Sequence, residues 1–193
     1  MTTVLQTKRL ILRTWQDSDL QPMSEINQDP AVMEYFPSTG DVQQTRAHIK
    51  RIMEHQASHG YSLFAVEIKL TGEMIGFVGL LHRTREEFNA AFTPATEIGW
   101  RLSSKHWNQG YATEAARAVL HYGFTELDLN EIVSFAVLHN QPSRRVMEKI
   151  GLHHNPSDDF DHPKLEAGSP LRRHVLYRTS RQHYLGIENH KQP

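Results

Sequence analysis

A change of period in mid-chain constrains this sequence more than any other feature. Glu97-Ile98-Gly99-Trp100-Arg101-Leu102 reads as a strand. Soon after it, Trp107-Asn108-Gln109-Gly110-Tyr111-Ala112-Thr113-Glu114-Ala115 opens a helix. The core face of that helix runs through Ala112, Ala115, Ala116, Val119, Leu120 and Phe124, spaced by threes and fours. The small residues at its first turn let a ligand come close to the backbone, and the unpaired N–H groups there favour a pyrophosphate. No Lys-Ser or Lys-Thr follows the glycine, which excludes a nucleotide-hydrolysing P-loop, and no Gly-x-Gly-x-x-Gly is present, which argues against a dinucleotide-binding turn.

The flanking segments fix the order of elements. Leu10–Arg13 is a short β-like run, and Asp19 stands where it would cap a helix over residues 20–28 that Asp29-Pro30 ends. Asp41 is placed to cap a longer helix to about His59, with Gly60 as its stop. Tyr61–Ile68 and Met74–Leu81 are apolar runs joined by Lys69-Leu70-Thr71-Gly72-Glu73, an antiparallel hairpin. Residues 83–94 read as a loop before the strand Ala95–Leu102. Beyond the central helix come a strand, Glu131–Leu138, and a helix capped by Asn140 and stopped at Gly151. Residues 153–170 read as a long irregular loop, His174–Arg178 as a last strand, and the segment from Ser180 as a polar, fraying tail. An antiparallel meander followed by strand–helix–strand–helix–strand predicts an α+β domain with a mixed, mostly antiparallel sheet flanked by helices.

Composition narrows the classes. A chain of 193 residues suits one domain, here residues 7–180, followed by a polar tail over 181–193. Net charge is −1 and no basic stripe interleaves with aromatics, so direct nucleic-acid binding is not expected. The absence of cysteine excludes a disulfide scaffold and a thiolate metal site. No signal peptide and no membrane-length apolar run is read, so a cytoplasmic protein without a membrane partner is expected. The 13 histidines include His55 and His59 at helical spacing and adjacent His153-His154, but no third ligand or Glu-x-x-His pattern accompanies them. No metal site is therefore expected.

Five phrases in this order resemble the GNAT superfamily of acetyl-coenzyme-A-dependent N-acetyltransferases, in particular the branch that includes the ribosomal-protein N-terminal acetyltransferases. They are Thr7–Arg13, Phe92–Leu102, Trp107–Ala115, Asn140–Leu152 and His174–Tyr177. The resemblance implies a sheet splayed between the strands at about 95–102 and 131–138, so that the free edge of the first bonds the amides of pantetheine. It assigns that contact to Ile98, Trp100 and Leu102, and the pyrophosphate of acetyl-CoA to Gln109, Gly110, Tyr111, Ala112 and Thr113. Asn140 is expected on the pantetheine arm, and Arg145 toward the adenosine phosphates. One departure is Trp107, which replaces the Gln or Arg common three residues before the central Gly and leaves the contact to backbone donors.

The implied chemistry is acetyl transfer from acetyl-CoA, as donor cosubstrate, to a primary amine by direct attack in a ternary complex. Glu97, at the start of the strand that faces the cofactor, is the candidate base, directly or through water; its alternative is an ion pair with an Arg across the sheet. By resemblance Ser143 is the acid at the departing thiolate; its alternative is local capping. Tyr177 reads as a core or pocket-wall residue. The acidic run Asp158–Asp161 would attract a cationic amine or peptide N-terminus, and residues 30–40 form a second candidate wall. A protein N-terminal α-amine is the acceptor the branch implies. A small amine such as an aminoglycoside or polyamine, and a non-catalytic acyl-CoA sensor, are the alternatives. The chain is expected to be a monomer or homodimer.

Overall fold

The structure is a computed structural model that describes residues 2–189. The chain divides into two compact units, residues 1–81 with 99–119, and residues 82–98 with 120–193. The strand β5 (Ala95–Leu102) gives its first half to the second unit and its last half to the first.

In the first unit β1 (Thr3–Gln6), β2 (Leu10–Arg13), β3 (Leu63–Ile68) and β4 (Met74–Arg83) pair antiparallel in succession. The sequence reading missed β1, which is short and only half-buried at its centre. Helix α1 (Leu20–Gln28) and helix α2 (Val42–His59) cover the expected ranges. Asp41 caps α2 by accepting from the Gln44 amide while the Gln44 side chain returns the bond, and Gly60 closes it in the left-handed region. Asp19, by contrast, makes no cap bond on α1. Gln16 caps a short 3₁₀ turn over Asp17–Asp19, and the Asp19 carboxylate turns inward to Arg13. A fully buried guanidinium needs a counter-ion more than a helix end needs one acceptor.

Trp15, Met23, Ile26, Val32, Met33, Ile52, Leu63, Ala65, Met74 and Phe77 form the core of this unit. The indole of Trp15 donates to the Leu63 carbonyl at 2.8 Å, so burying the ring strands no polar group. The β3–β4 register slips between Val66 and Glu67, leaving Ile75 as an extra residue, and Gly76 sits at the slip with φ +134°. A Cβ there would lie 2.1 Å from the Arg101 carbonyl oxygen. Glycine is thus required for β4 to approach the end of β5, where the Ser103 amide donates to the Ile75 carbonyl at 2.9 Å.

The second unit holds β6 (Glu131–Val137), α4 (Gln141–Lys149) and β9 (Arg173–Ser180). β6 pairs antiparallel with β9 along its whole length, but its parallel pairing with β5 is at Glu97 opposite Val133. The β1–β2, β2–β3, β3–β4 and β6–β9 pairings are antiparallel and β5–β6 is parallel, as expected for a mixed, mostly antiparallel sheet. The segment 153–170 is more ordered than a long irregular loop. It contributes β7 (His153–His154) and β8 (Phe160–Asp161), both paired with β9. Phe160 joins Phe88, Phe92 and Phe135 in one aromatic cluster, with centroids 4.9–6.0 Å apart. One aromatic ring in an otherwise polar stretch, packed on three rings from outside it, thus helps to pin it.

The segment read as a polar tail is likewise helical where it is described. Residues Arg181–Asn189 form α5, with the Tyr184 ring 5.1 Å from Phe124; residues 190–193 lie outside the described residues. No helix of the described residues is long and apolar enough to cross a membrane.

Candidate active site

In the first unit the predicted anion cradle is a sharp turn leading into α3 (Tyr111–Thr125). Asn108 and Gly110 both have positive φ, 59° and 82°. That double left-handed turn aims the chain into the helix and leaves the first-turn amides without intrahelical carbonyls. Gln109 and Gly110 are exposed, and Tyr111, Ala112 and Thr113 are half-buried. A Cβ at Gly110 would come within 3.3 Å of Arg9 Nη2, so the glycine also makes room for a guanidinium.

Arg9 is the residue that sequence reasoning missed here. Its Nε donates to Glu114 at 2.6 Å, its Nη1 donates to the Gln109 carbonyl at 2.9 Å, and its guanidinium lies 4.4 Å from the Tyr111 ring centroid. Glu114 also accepts from the Thr7 hydroxyl at 2.6 Å and the Arg9 amide at 2.8 Å. Burial alone would raise its pKa, but the bonds from Thr7 and Arg9 outweigh that and hold it below the ordinary value. The Thr7–Arg13 phrase is in this way tied to the Trp107–Ala115 phrase through a pair 105 residues apart. Unpaired helix-start amides, a glycine where a Cβ would crowd the Arg9 guanidinium, and that half-exposed arginine together fit a pyrophosphate.

Trp107 has a structural task. Its indole donates to the Leu102 carbonyl at 2.9 Å, joining the end of β5 to the start of the cradle. One of the groups expected to face pantetheine is therefore engaged by the chain itself. The Ile98 carbonyl is likewise met by the Ser134 hydroxyl, which donates at 2.9 Å in the second unit. Trp100 is half-buried.

The two catalytic candidates both belong to the second unit. Glu97, whose side chain is 13% exposed, accepts from Arg83 Nε at 2.5 Å, so the ion pair weighed as its alternative role is present. Asn140 caps α4 by accepting from the Ser143 amide at 3.1 Å. The capping bond thus uses the Ser143 backbone, and among the described residues its hydroxyl makes no hydrogen bond. Arg145 is exposed on the same helix without an ion pair among the described residues. Tyr177 is 2% exposed; its hydroxyl donates to Glu148 at 3.0 Å and accepts from Arg144 Nε at 3.3 Å, which makes it a core residue.

The acidic run is spent within its own unit. Asp158 pairs with Arg178, Asp159 with His154 at 2.7 Å, and Asp161 with Arg172 and Arg173. The expected attraction for a cationic acceptor is thereby largely cancelled. His162 nearby is held neutral, pushed down to about 4 by burial first, then by His174, Lys164 and Arg83. Among the described residues no group of three or more His, Cys, Asp or Glu side chains is placed to hold a metal ion.

Against known proteins, the family described as an acetyltransferase (GNAT) domain matches residues 9–153. The chain belongs to the GNAT acetyltransferases. Among curated relatives, the YkkB protein of Bacillus subtilis is 36% identical over 79% of this chain and 87% of its own length. YnaD of the same organism, named an N-acetyltransferase, is 34% identical over 77% of this chain and 81% of its own. Among solved structures, a GNAT-family acetyltransferase from Bacillus anthracis superposes with a TM-score of 0.75 at 28% identity, covering 92% of this chain and 98% of the other. The GNAT fold uses acetyl-CoA as acetyl donor, and the chain is accordingly an N-acetyltransferase with an amine acceptor.

Proposed function

We propose that this GNAT enzyme acetylates the α-amine of a peptide or protein N-terminus, with Gln109–Thr113 as the pyrophosphate cradle and Glu97 and Ser143 as the proton-handling pair. The observation that carries the reading is the α3 start, where Gly110, the first-turn amides and Arg9 provide donors without side-chain obstruction. The acceptor assignment rests on the five phrases shared with the ribosomal-protein branch.

Acetyl-CoA supplies a thioester carbonyl activated toward amines. The residues of the chain handle the protons. Glu97 takes one proton from the acceptor ammonium, directly or through water, which frees the nitrogen lone pair for attack. As the C–S bond breaks, the Ser143 hydroxyl gives its proton to the departing thiolate. The second amine proton, released as the amide forms, passes to the Ser143 oxygen and restores the hydroxyl, leaving CoA as its thiol and one proton on Glu97 to return to solvent. Ser143 sits in the first turn of α4, where the aligned peptide dipoles favour developing negative charge. Asn140 fixes that turn, and Arg145 faces solvent where it meets the outer phosphates.

The test is free-thiol release from acetyl-CoA with peptide N-termini, polyamines and aminoglycosides as acceptors. Ser143→Ala and Glu97→Gln are each expected to lower kcat by roughly 10²-fold while CoA still raises the melting temperature, in line with the usual weight of a general acid or base. Unchanged turnover in both variants overturns the residue assignment. Turnover confined to polyamines or aminoglycosides overturns the acceptor. The absence of any thermal shift with acetyl-CoA overturns the cradle.

A further inference from the structure

Arg101 stands at the end of β5, between Trp100 and Leu102, and its side chain lines a cavity of about 360 Å³ in the first unit. Asn27, Met33, Thr45 and His48 form other parts of the wall, and Ser38 and Thr39 bring exposed hydroxyls from the loop between α1 and α2. Among the described residues no Asp or Glu lines it, and Arg51 adds a further positive charge. The guanidinium of Arg101 donates from Nη1 to Asn27 Oδ1 at 2.7 Å and lies over two rings, 4.2 Å from the centroid of Phe36 and 5.5 Å from that of Phe77. Asn27 is itself pinned, donating to the Thr45 hydroxyl at 2.9 Å. Nε is buried and has no acceptor, and among the described residues no carboxylate pairs with this side chain.

This arrangement is costly unless something completes it. A guanidinium drawn out of water loses hydration that one neutral amide oxygen and two ring faces restore only in part. The desolvation is reflected in its pKa, pushed down to about 10 by burial. The other enclosed arginine of this unit, Arg13, is matched by two carboxylates. Arg101 is anchored by one amide oxygen and two rings and opens onto a cavity that, among the described residues, offers hydroxyls and no anion. A planar guanidinium with an unsatisfied edge is a receptor for a planar bidentate anion. The phosphates of acetyl-CoA are assigned elsewhere, to the cradle at Gly110, and the thioester end is uncharged, so the anion must arrive with the other substrate.

We infer that the cavity around Arg101 binds a carboxylate carried by the amine acceptor, with Ser38 and Thr39 as accompanying donors. This rests on the acetyltransferase reading and deepens it. The acceptor class becomes amines that bear a carboxylate, whether an α-amino acid or a peptide N-terminus with an acidic residue at its start, and polyamines are disfavoured because they offer this arginine only positive charge.

The experiment compares acceptors that differ in the carboxylate alone. Thiol release is measured with α-amino acids against their carboxamides, with peptides beginning Asp or Glu against Asn or Gln, and with spermidine. In parallel, N-acetylglycine and N-acetylglycinamide are titrated into the CoA-loaded enzyme, which reads the site without turnover. The carboxylate member of a pair is expected to be favoured in kcat/KM and in affinity by about tenfold or more, as for a charge-assisted pair. Preference in the free amino acids or in the peptides tells the two sources apart. Arg101→Met is expected to bring the ratio to about one, and Arg101→Lys, which keeps the charge but loses the planar fork, to an intermediate value. Asn27→Ala, which frees the guanidinium from its anchor, is expected to weaken the preference and serves if the Arg101 variants fold poorly. Equal use of acid and amide by the wild-type enzyme, or a preference that survives Arg101→Met, overturns this inference and leaves the acetyltransferase reading standing. Loss of all turnover and all CoA binding sinks both.

Discussion

Replacing Arg13 by Met should cost this protein a large part of its stability. Arg13 is 1% exposed and donates to both oxygens of Asp19, at 2.7 and 2.8 Å, and to Glu67 at 2.8 Å. The Asp19 side chain is 2% exposed and that of Glu67 18%. Removing the guanidinium leaves the Asp19 carboxylate buried, its remaining bond coming from the Gln16 amide at 2.9 Å. Breaking a buried pair from one side costs about 3–5 kcal/mol, because the surviving charge has lost both water and partner. With a urea slope of about 2 kcal/mol/M, the unfolding midpoint should fall by roughly 1.5–2.5 M. The companion variant Arg13→Met with Asp19→Leu removes the stranded charge and should recover most of the loss, short of about 1 kcal/mol for the Gln16 cap. Glu67→Gln, at a partly solvated carboxylate, should cost no more than about 1 kcal/mol. The assay is equilibrium urea unfolding followed by far-ultraviolet circular dichroism. A loss under about 1 kcal/mol for Arg13→Met, or a double variant no better than the single one, refutes the reasoning.

Other outcomes follow from single residues. Gly76→Ala combines a φ of +134° with a Cβ 2.1 Å from the Arg101 carbonyl, so β4 or β5 must move; a loss of about 3 kcal/mol or more in the same unfolding assay is expected. Glu114, held below the ordinary value, binds its proton more readily unfolded than folded. Its contribution is therefore present above about pH 4.5 and lost as pH falls below that. Glu114→Gln should remove this acid-sensitive step from a melting-temperature series. His162, pushed down to about 4 from 6.5, is held neutral while the unfolded chain would protonate it. Its contribution is intact above pH 6.5 and lost between 6.5 and 4, and protonation of Nδ1 would also displace the Lys164 amide that donates to it at 3.2 Å. His162→Gln should flatten the melting curve across that window; an unchanged slope would count against the burial argument.

What was legible in the sequence was what local chemistry decides. Asp41, Gly60, Asn140 and Gly151 punctuate helices by bonds reaching no further than a turn, and each stands where its residue type implies. Asp19 shows the limit of that logic. As a cap it was a sound local reading, but a buried Arg13 six residues away competes for the same carboxylate, and nothing in the pattern shows which of two neighbours is buried. The Arg9–Glu114 pair lies in two phrases whose order was clear and whose contact was not. Trp107 read as an oddity because its partner is a backbone carbonyl, which has no sequence signature. The Arg101 cavity is of the same kind: an arginine on a strand looks like surface until two rings and an asparagine enclose it.

The charges of the two units invert the simplest electrostatic expectation. The acidic run at 158–161 looks like bait for a cationic amine, yet within their own unit Asp158 and Asp161 are matched by arginines and Asp159 is bonded to His154. Opposite charges a few ångströms apart form dipoles whose field fades well within a Debye length of about 8–10 Å, so little remains to steer a substrate. Among the described residues Arg101 has no such match, and an unmatched charge acts at longer range than a matched one. A direct contrast follows. Asp161→Asn breaks the contacts to Arg172 at 3.3 Å and Arg173 at 3.4 Å, all three side chains being partly solvated, so stability should change by no more than about 1 kcal/mol. The KM for spermidine and for peptide N-termini should stay within about twofold, because the field removed was already neutralised. If the run does gather the amine, that KM rises several-fold and the rise fades with added salt. A salt-sensitive loss of that kind in Asp161→Asn would restore the acidic loop as the acceptor's guide and leave Arg101 without the task assigned to it.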